Sequence, residues 1–183
     1  GLAERWSISD DGLLFTFHLN PKAAWSDGKP LTSEDVVWSF NAIKNPDHLT
    51  GPLQNIMKRL VNIEATDDHT VVIEAEKVHW KNLQACTAFR VMPKHWWKDQ
   101  EFNKVNFEFP VVSGPYRLGE VNEQHYARLE KRDDYWNADA PENEGVMNFD
   151  TIEYRFYSQR DIAFEAFKKG EFDLFAVYTS SRW

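Results

Sequence analysis

Six histidines, 29 carboxylates and one thiol are the first places to look for chemistry in this chain. The histidines are His18, His48, His69, His79, His95 and His125. No two of them stand three to five residues apart, and none sits in a Cys/His cluster, so local metal-ligand spacing is absent. Each reads as a surface or half-buried side chain. The carboxylates could in principle supply a facing pair, as in a glycosidase, but nothing in their spacing singles one out. They read first as solvated surface. Asp139, Glu142 and Glu144 gather in one stretch without the spacing of an EF-hand, which predicts a polar loop. The lone thiol, Cys86, lies in Leu-Gln-Ala-Cys-Thr-Ala-Phe with no neighbour that would lower its pKa, so it reads as a small buried hydrophobe. There is no G-x-S-x-G, P-loop or G-x-G-x-x-G. Neither a catalytic group nor a metal or cofactor is expected.

The remaining chemistry is recognition by aromatic surface. The chain has 8 Trp, 6 Tyr and 13 Phe. Many build a core, but aromatics also line clefts for sugars and peptides, because they bury area at small entropic cost. Trp96-Trp97 and Tyr135-Trp136 are adjacent pairs. In an extended segment one ring of each pair faces inward and the other outward.

The elements that must position these groups are legible in part. Ser26-Asp27-Gly28-Lys29 is a turn. Thr32 is an N-cap with Asp35 at N3, and Val36, Val37, Phe40 and Ile43 repeat at helical spacing, which predicts a helix ending before Asn45-Pro46. Hairpins are expected over residues 2–19 (turn Ser9 to Gly12), 60–75 (turn Thr66 to His69) and 116–131. A short helix is expected from Pro52 to Lys58, another after Pro93, and an irregular aromatic stretch over Phe102 to Phe109. Asp133 to Asn148 reads as a long polar loop. Phe149 to Tyr157 is strand-like, with Ile152, Tyr154 and Phe156 on one face. Ser158 then caps a helix whose buried stripe is Ile162, Ala166 and Phe167 and which Gly170 ends. Phe172 to Tyr178 is expected to be a last strand. Hairpins and helices mix without regular βαβ alternation, so the class is α+β or mixed α/β.

Composition bounds the rest. The 183 residues suffice for one domain with a real core or for two small ones. With a net charge of −8 and no basic run longer than Lys168-Lys169, nucleic acid is a poor partner. No stretch approaches the roughly 20 apolar residues of a membrane span. The first residues are not a secretory signal, and the missing initiator Met suggests a processed chain or an excised piece. One cysteine permits no intramolecular disulfide, which suits a reducing compartment without excluding the periplasm.

Several segments, in this order, carry a resemblance. They are Leu2 to Trp6 with Ser9 to Leu13; Trp25-Ser-Asp-Gly-Lys-Pro-Leu-Thr-Ser-Glu-Asp-Val-Val37; Ser113-Gly-Pro-Tyr116; and Phe167-Lys-Lys-Gly-Glu-Phe-Asp173. The set resembles the extracytoplasmic solute-binding proteins, family 5, which serve oligopeptide and dipeptide ABC importers. Asn148 to Tyr154, with Tyr135-Trp136 before it, resembles the YejA-like branch. The resemblance implies a two-lobed, type II-like periplasmic binding protein fold. Residues 1–183 would then be a single domain, a piece of the first lobe, with 172–183 starting the crossing to a second lobe. It implies a periplasmic protein whose partners are a peptide ligand and ABC permease subunits, with no chemistry of its own. Phe89, Ser113 and Tyr178 are the candidate cleft residues. Other ligands known in the family (sugar, nickel, haem) and a glycan-acting enzyme domain are the alternatives.

Overall fold

The structure, a computed structural model, describes residues 1–104 and 111–178. Strands β1 (Ala3–Ile8) and β2 (Leu14–Leu19) form one hairpin, and β3 (Leu60–Asp67) and β4 (Thr70–Ala75) another. The hairpins join through β2 and β4 into an antiparallel sheet of order β1-β2-β4-β3. Phe15 faces Ile73 and Phe17 faces Val71 across the join. Such cross-strand apolar pairs fix the register, because a one-residue slip would turn the core face outward. Helix α1 (Ser33–Lys44) covers the sheet, followed by α2 (Gly51–Met57) and the short α3 (Asn82–Cys86) and α4 (Lys94–Trp97).

Phe15, Trp25, Leu31, Val36, Phe40, Ile43, Met57, Leu60, Val71 and Ile73 are buried together. Burying each large apolar side chain of this kind contributes about 1.5–3 kcal/mol. The stripe predicted for α1 is this core's helical side, with Val37 packed half-buried against it. Lys44 closes the helix by donating to the Leu60 carbonyl while its ammonium lies 5.2 Å from the centre of the Phe40 ring. Gly28 has a φ of +81°, which lets the Trp25–Lys29 turn close with Gly28 N donating to Trp25 O at 3.0 Å.

The chain divides into two compact units. The first holds Gly1–Arg117 and Lys131–Asn148; the second holds Leu118–Glu130 and the segment from Phe149. The second is built on a sheet of order β5-β6-β7, with β5 (Tyr116–Asn122), β6 (Tyr126–Lys131) and β7 (Thr151–Arg155). Helix α5 (Arg160–Lys168) follows, and Gly170 ends it at a φ of +75°. A Cβ built on Gly119 would lie 2.6 Å from Glu130 Oε1 and 2.8 Å from its Cγ, so the Glu130 side chain occupies the space a larger residue would need.

Several expectations are corrected. The second hairpin turns on Asp68-His69 alone, because β3 runs on to Asp67. Helix α5 is capped by Gln159 instead of Ser158, since residue 159 still has extended backbone (φ −137°). Of the stripe predicted there, Ala166 is buried and Phe167 half-buried, but Ile162 is exposed. Phe172 to Tyr178 is not a strand. Instead Phe172 and Phe175 turn back onto α5, with ring centres 5.7 Å and 5.8 Å from Phe167. Aromatic packing takes the place of a strand ladder there. Trp96 and Trp97 lie on a helix, so their rings meet edge to face at 4.9 Å and do not point opposite ways. The irregular stretch expected to Phe109 lies, from residue 105, outside the described residues.

Candidate functional site

Phe89 lines an apolar cavity of about 400 Å³ in the first unit. Its floor is the sheet, through Trp6, Phe17 and Ile73; its sides are Val36 of α1 and the segment carrying Phe89 and Val91. The strand alternation that puts Phe17 and Ile73 inward is what presents an apolar floor. The Phe89 ring stands edge-on to Phe40 at 6.0 Å, so the cavity wall and the core share one aromatic contact. Cys86 also lines the cavity, and burial pushes its thiol up to about 12. At neutral pH it is a protonated, inert apolar group. The cavity can hold apolar or aromatic groups.

The Phe89 segment is held to α1 by Asp35. This buried carboxylate accepts from the Trp25 indole N–H (3.1 Å) and the Thr32 backbone N–H (3.1 Å) through Oδ2. Its Oδ1 accepts from the Lys94 backbone N–H at 2.8 Å. Ser39 adds a second stitch, accepting from Met92 N at 2.7 Å and donating to Asp35 O at 2.6 Å. The capping box read from the sequence is therefore also the anchor of the cavity wall.

Ser113 lies in the same unit, in a loop fixed by its carbonyls. Its own carbonyl accepts from Trp136 Nε1 at 2.9 Å. The buried Arg132 donates to Val112 O (3.2 Å), Gly114 O (2.9 Å) and Asp134 Oδ1 (3.0 Å). That hydrogen bond, ahead of the charge itself, holds the Asp134 carboxyl below its usual value. Ser26 clamps the other side, with Ser26 N to Val112 O at 2.8 Å and Val112 N to Ser26 Oγ at 3.1 Å. The Ser26-to-Lys29 turn thus supports the Ser113 loop. Asp27 of that turn meets His95 Nε2 at 2.9 Å. Partial burial raises its carboxyl, but hydrogen bonds from Lys29 N, His95 and the Lys29 side chain outweigh this and leave it lowered.

Tyr178 belongs to the second unit and is exposed, with the Arg160 guanidinium 4.6 Å from its ring centre. That unit carries one ordered array of charge. Arg128 pairs with Glu153 (2.8 Å) and Glu120 (2.5 Å), and Arg155 with Glu153 (2.8 Å). Strand register sets it, since Arg128 sits directly opposite Glu153.

Phe89 and Ser113 are therefore each placed in a defined environment of the first unit, while Tyr178 belongs to the second. Asp35 and Arg132 were missed as organisers. For Arg132 the only sequence signal is Asp134 two residues on; for Asp35 it is the helix cap. Among the described residues, no group of three or more His, Cys, Asp or Glu could hold a metal ion. No described helix is long and apolar enough to cross a membrane.

Residues 1–183 match the profile of the bacterial extracellular solute-binding proteins, family 5 middle region. The chain is 35% identical over 190 residues to the probable peptide-binding protein YejA of Agrobacterium fabrum, covering 100% of this chain and 30% of that one. It is 31% identical over 176 residues to the peptidoglycan-binding protein YepA of the same organism, covering 95% and 28%. Among solved structures it is similar to the periplasmic binding protein AgaA of A. tumefaciens R10 in complex with agropinic acid. That likeness has a TM-score of 0.77 and 27% identity, over 94% of this chain and 33% of AgaA. The fold is thus the mixed α/β fold of these binding proteins, and the chain spans about a third of their length or less.

Proposed function

The chain belongs to the bacterial extracellular solute-binding proteins, family 5, and from that premise we propose that it is part of the first lobe of a protein that captures peptides outside the cytoplasm and delivers them to an ABC importer. The observation that carries this reading is the 35% identity to a probable peptide-binding protein over the whole chain. The cavity beside Phe89 supports it, because an apolar, aromatic wall suits the side chains of an extended peptide whose backbone pairs with cleft strands. The inert Cys86 fits a module that binds without reacting. Phe89, Ser113 and Tyr178 remain the proposed cleft residues, and residues from 172 onward the proposed approach to a second lobe. With that lobe closed over the ligand, the closed form would signal to the permease.

A non-peptide ligand is the second reading, favoured by the likeness to a protein bound to agropinic acid. Mass spectrometry of ligands co-purified with the full-length protein separates the two, followed by calorimetry with the species found. Peptides are expected; recovery of opines or sugars alone would overturn the peptide assignment. A glycan-hydrolase screen on the same protein is expected to be blank. Residues 1–183 alone are expected to bind a peptide pool weakly or not at all, and submicromolar affinity would contradict a shared two-lobe cleft.

A further inference from the structure

Lys58, Arg59 and Lys81 line one open cavity of about 350 Å³ in the first unit, together with Asn55, Ile56 and Gln84. Lys58 and Arg59 lie between α2 and β3, and Lys81 immediately precedes α3. Lys77 joins them. Desolvation, and then the charges of Arg59, Lys81 and Lys77, hold the His79 imidazole below its ordinary value. Among the described residues none of these four cations forms an ion pair. That is unexpected in a chain of net charge −8, where carboxylates are plentiful. Unpaired like charges gathered on one face repel one another, and an anion relieves the repulsion.

The same face exposes an apolar group. Trp80 is 80% exposed. The Lys81 ammonium lies 4.9 Å from the centre of the Trp80 ring, and the His79 ring stacks on that indole at 6.0 Å. The backbone beneath is fixed: Asn82 Nδ2 donates to Lys77 O at 2.9 Å, and Glu76 N donates to Arg59 O at 2.9 Å. A soluble anion would use the cations and leave the indole in water. A bilayer surface uses both, because phosphates meet Lys and Arg while Trp settles at head-group depth.

We propose that the face formed by Lys58, Arg59, Lys77, Lys81 and Trp80 docks on anionic phospholipid head groups, with a lipid phosphate in the cavity between α2 and α3. It holds the binding protein near the membrane whatever ligand its cleft carries.

The test is flotation of the full-length protein with vesicles of phosphatidylcholine alone or mixed with phosphatidylglycerol. Binding is expected only with the anionic lipid, and it should fall steeply as salt rises. Each cation neutralised in Lys58→Gln, Arg59→Gln or Lys81→Gln should lower partition roughly fivefold. Trp80→Ala should lower it as well, with thermal midpoints unchanged in all four. Equal binding to neutral vesicles, or none to either, would overturn the proposal. Saturable binding of inorganic phosphate without vesicle binding would also overturn it, in favour of a soluble anion site. Binding only to vesicles that contain the permease would overturn it in favour of a protein partner.

Discussion

The Trp25 indole donates its N–H to Asp35 Oδ2 at 3.1 Å, tying the residue that opens the turn to the N3 residue of the helix's capping box. Asp35 also receives the Thr32 and Lys94 amides. Asp35→Ala would leave three donors without their acceptor in a buried site. The expected loss is about 3–5 kcal/mol, against about 1 kcal/mol for Trp25→Phe at the indole hydrogen bond alone. Urea denaturation of both variants measures this, and an Asp35→Ala protein as stable as the parent would contradict the hub.

Arg132 gathers the carbonyls of Val112 and Gly114 and the Asp134 carboxylate while buried. Arg132→Met is expected to cost about 2–4 kcal/mol, because it removes the three hydrogen bonds of a buried guanidinium. It should also speed amide exchange in the Ser113 loop. Global destabilisation without faster local exchange would show that Arg132 acts only through packing.

Cys86 is predicted to resist alkylation in the folded protein at pH 8 and to react once denaturant is added. Burial holds its thiol at about 12, above the ordinary value of 9.0. A folded-state value raised in this way contributes stability in full below the unfolded value near 9.0, and the contribution is lost as pH rises towards about 12. Cys86→Ser should therefore lack part of the alkaline loss seen in denaturation midpoints between those values. Rapid labelling of the native thiol at pH 8 would refute the assignment.

Gly119→Ala should destabilise the second unit by about 1 kcal/mol, since the new methyl group must displace the Glu130 side chain. The double variant Gly119→Ala/Glu130→Ala should recover most of that loss. Additive effects in this double-mutant cycle would mean that the two positions do not compete for the same space.

Phe89→Ala in the full-length protein is expected to weaken ligand binding roughly tenfold, the loss typical of an aromatic anchor. The edge contact with Phe40 adds a stability loss of about 1–3 kcal/mol. Calorimetry and thermal unfolding read the two separately. Unchanged affinity beside reduced stability would remove Phe89 from the cleft and leave it in the core.

Local features were legible from sequence, and long-range choices were not. Thr32 and Asp35 announce a helix start because a capping box spans only four residues. That Asp35 would also take the Trp25 indole and the Lys94 amide depends on where the chain returns, which no spacing records. Phe172 to Tyr178 alternates like a strand, yet a strand needs a neighbour to pair with, and the Phe167 ring gave Phe172 and Phe175 a nearer apolar partner. Ile162 has helical spacing with Ala166, but it lies half exposed on α5, on a side that the spacing alone cannot mark as outer. Phe89 entered as a cleft candidate through family resemblance, and its cavity could not be read until β2 and β4 were paired.

The amides of Met92 and Lys94 end on α1 side chains, just beyond Phe89 and Val91. The wall of the cavity is therefore tied to the helix, and a backbone shift of the Phe89 segment would load those two bonds. They form a built-in strain gauge. If Phe89 meets ligand as proposed, hydrogen exchange at those two amide protons is expected to report it, with no label attached to either.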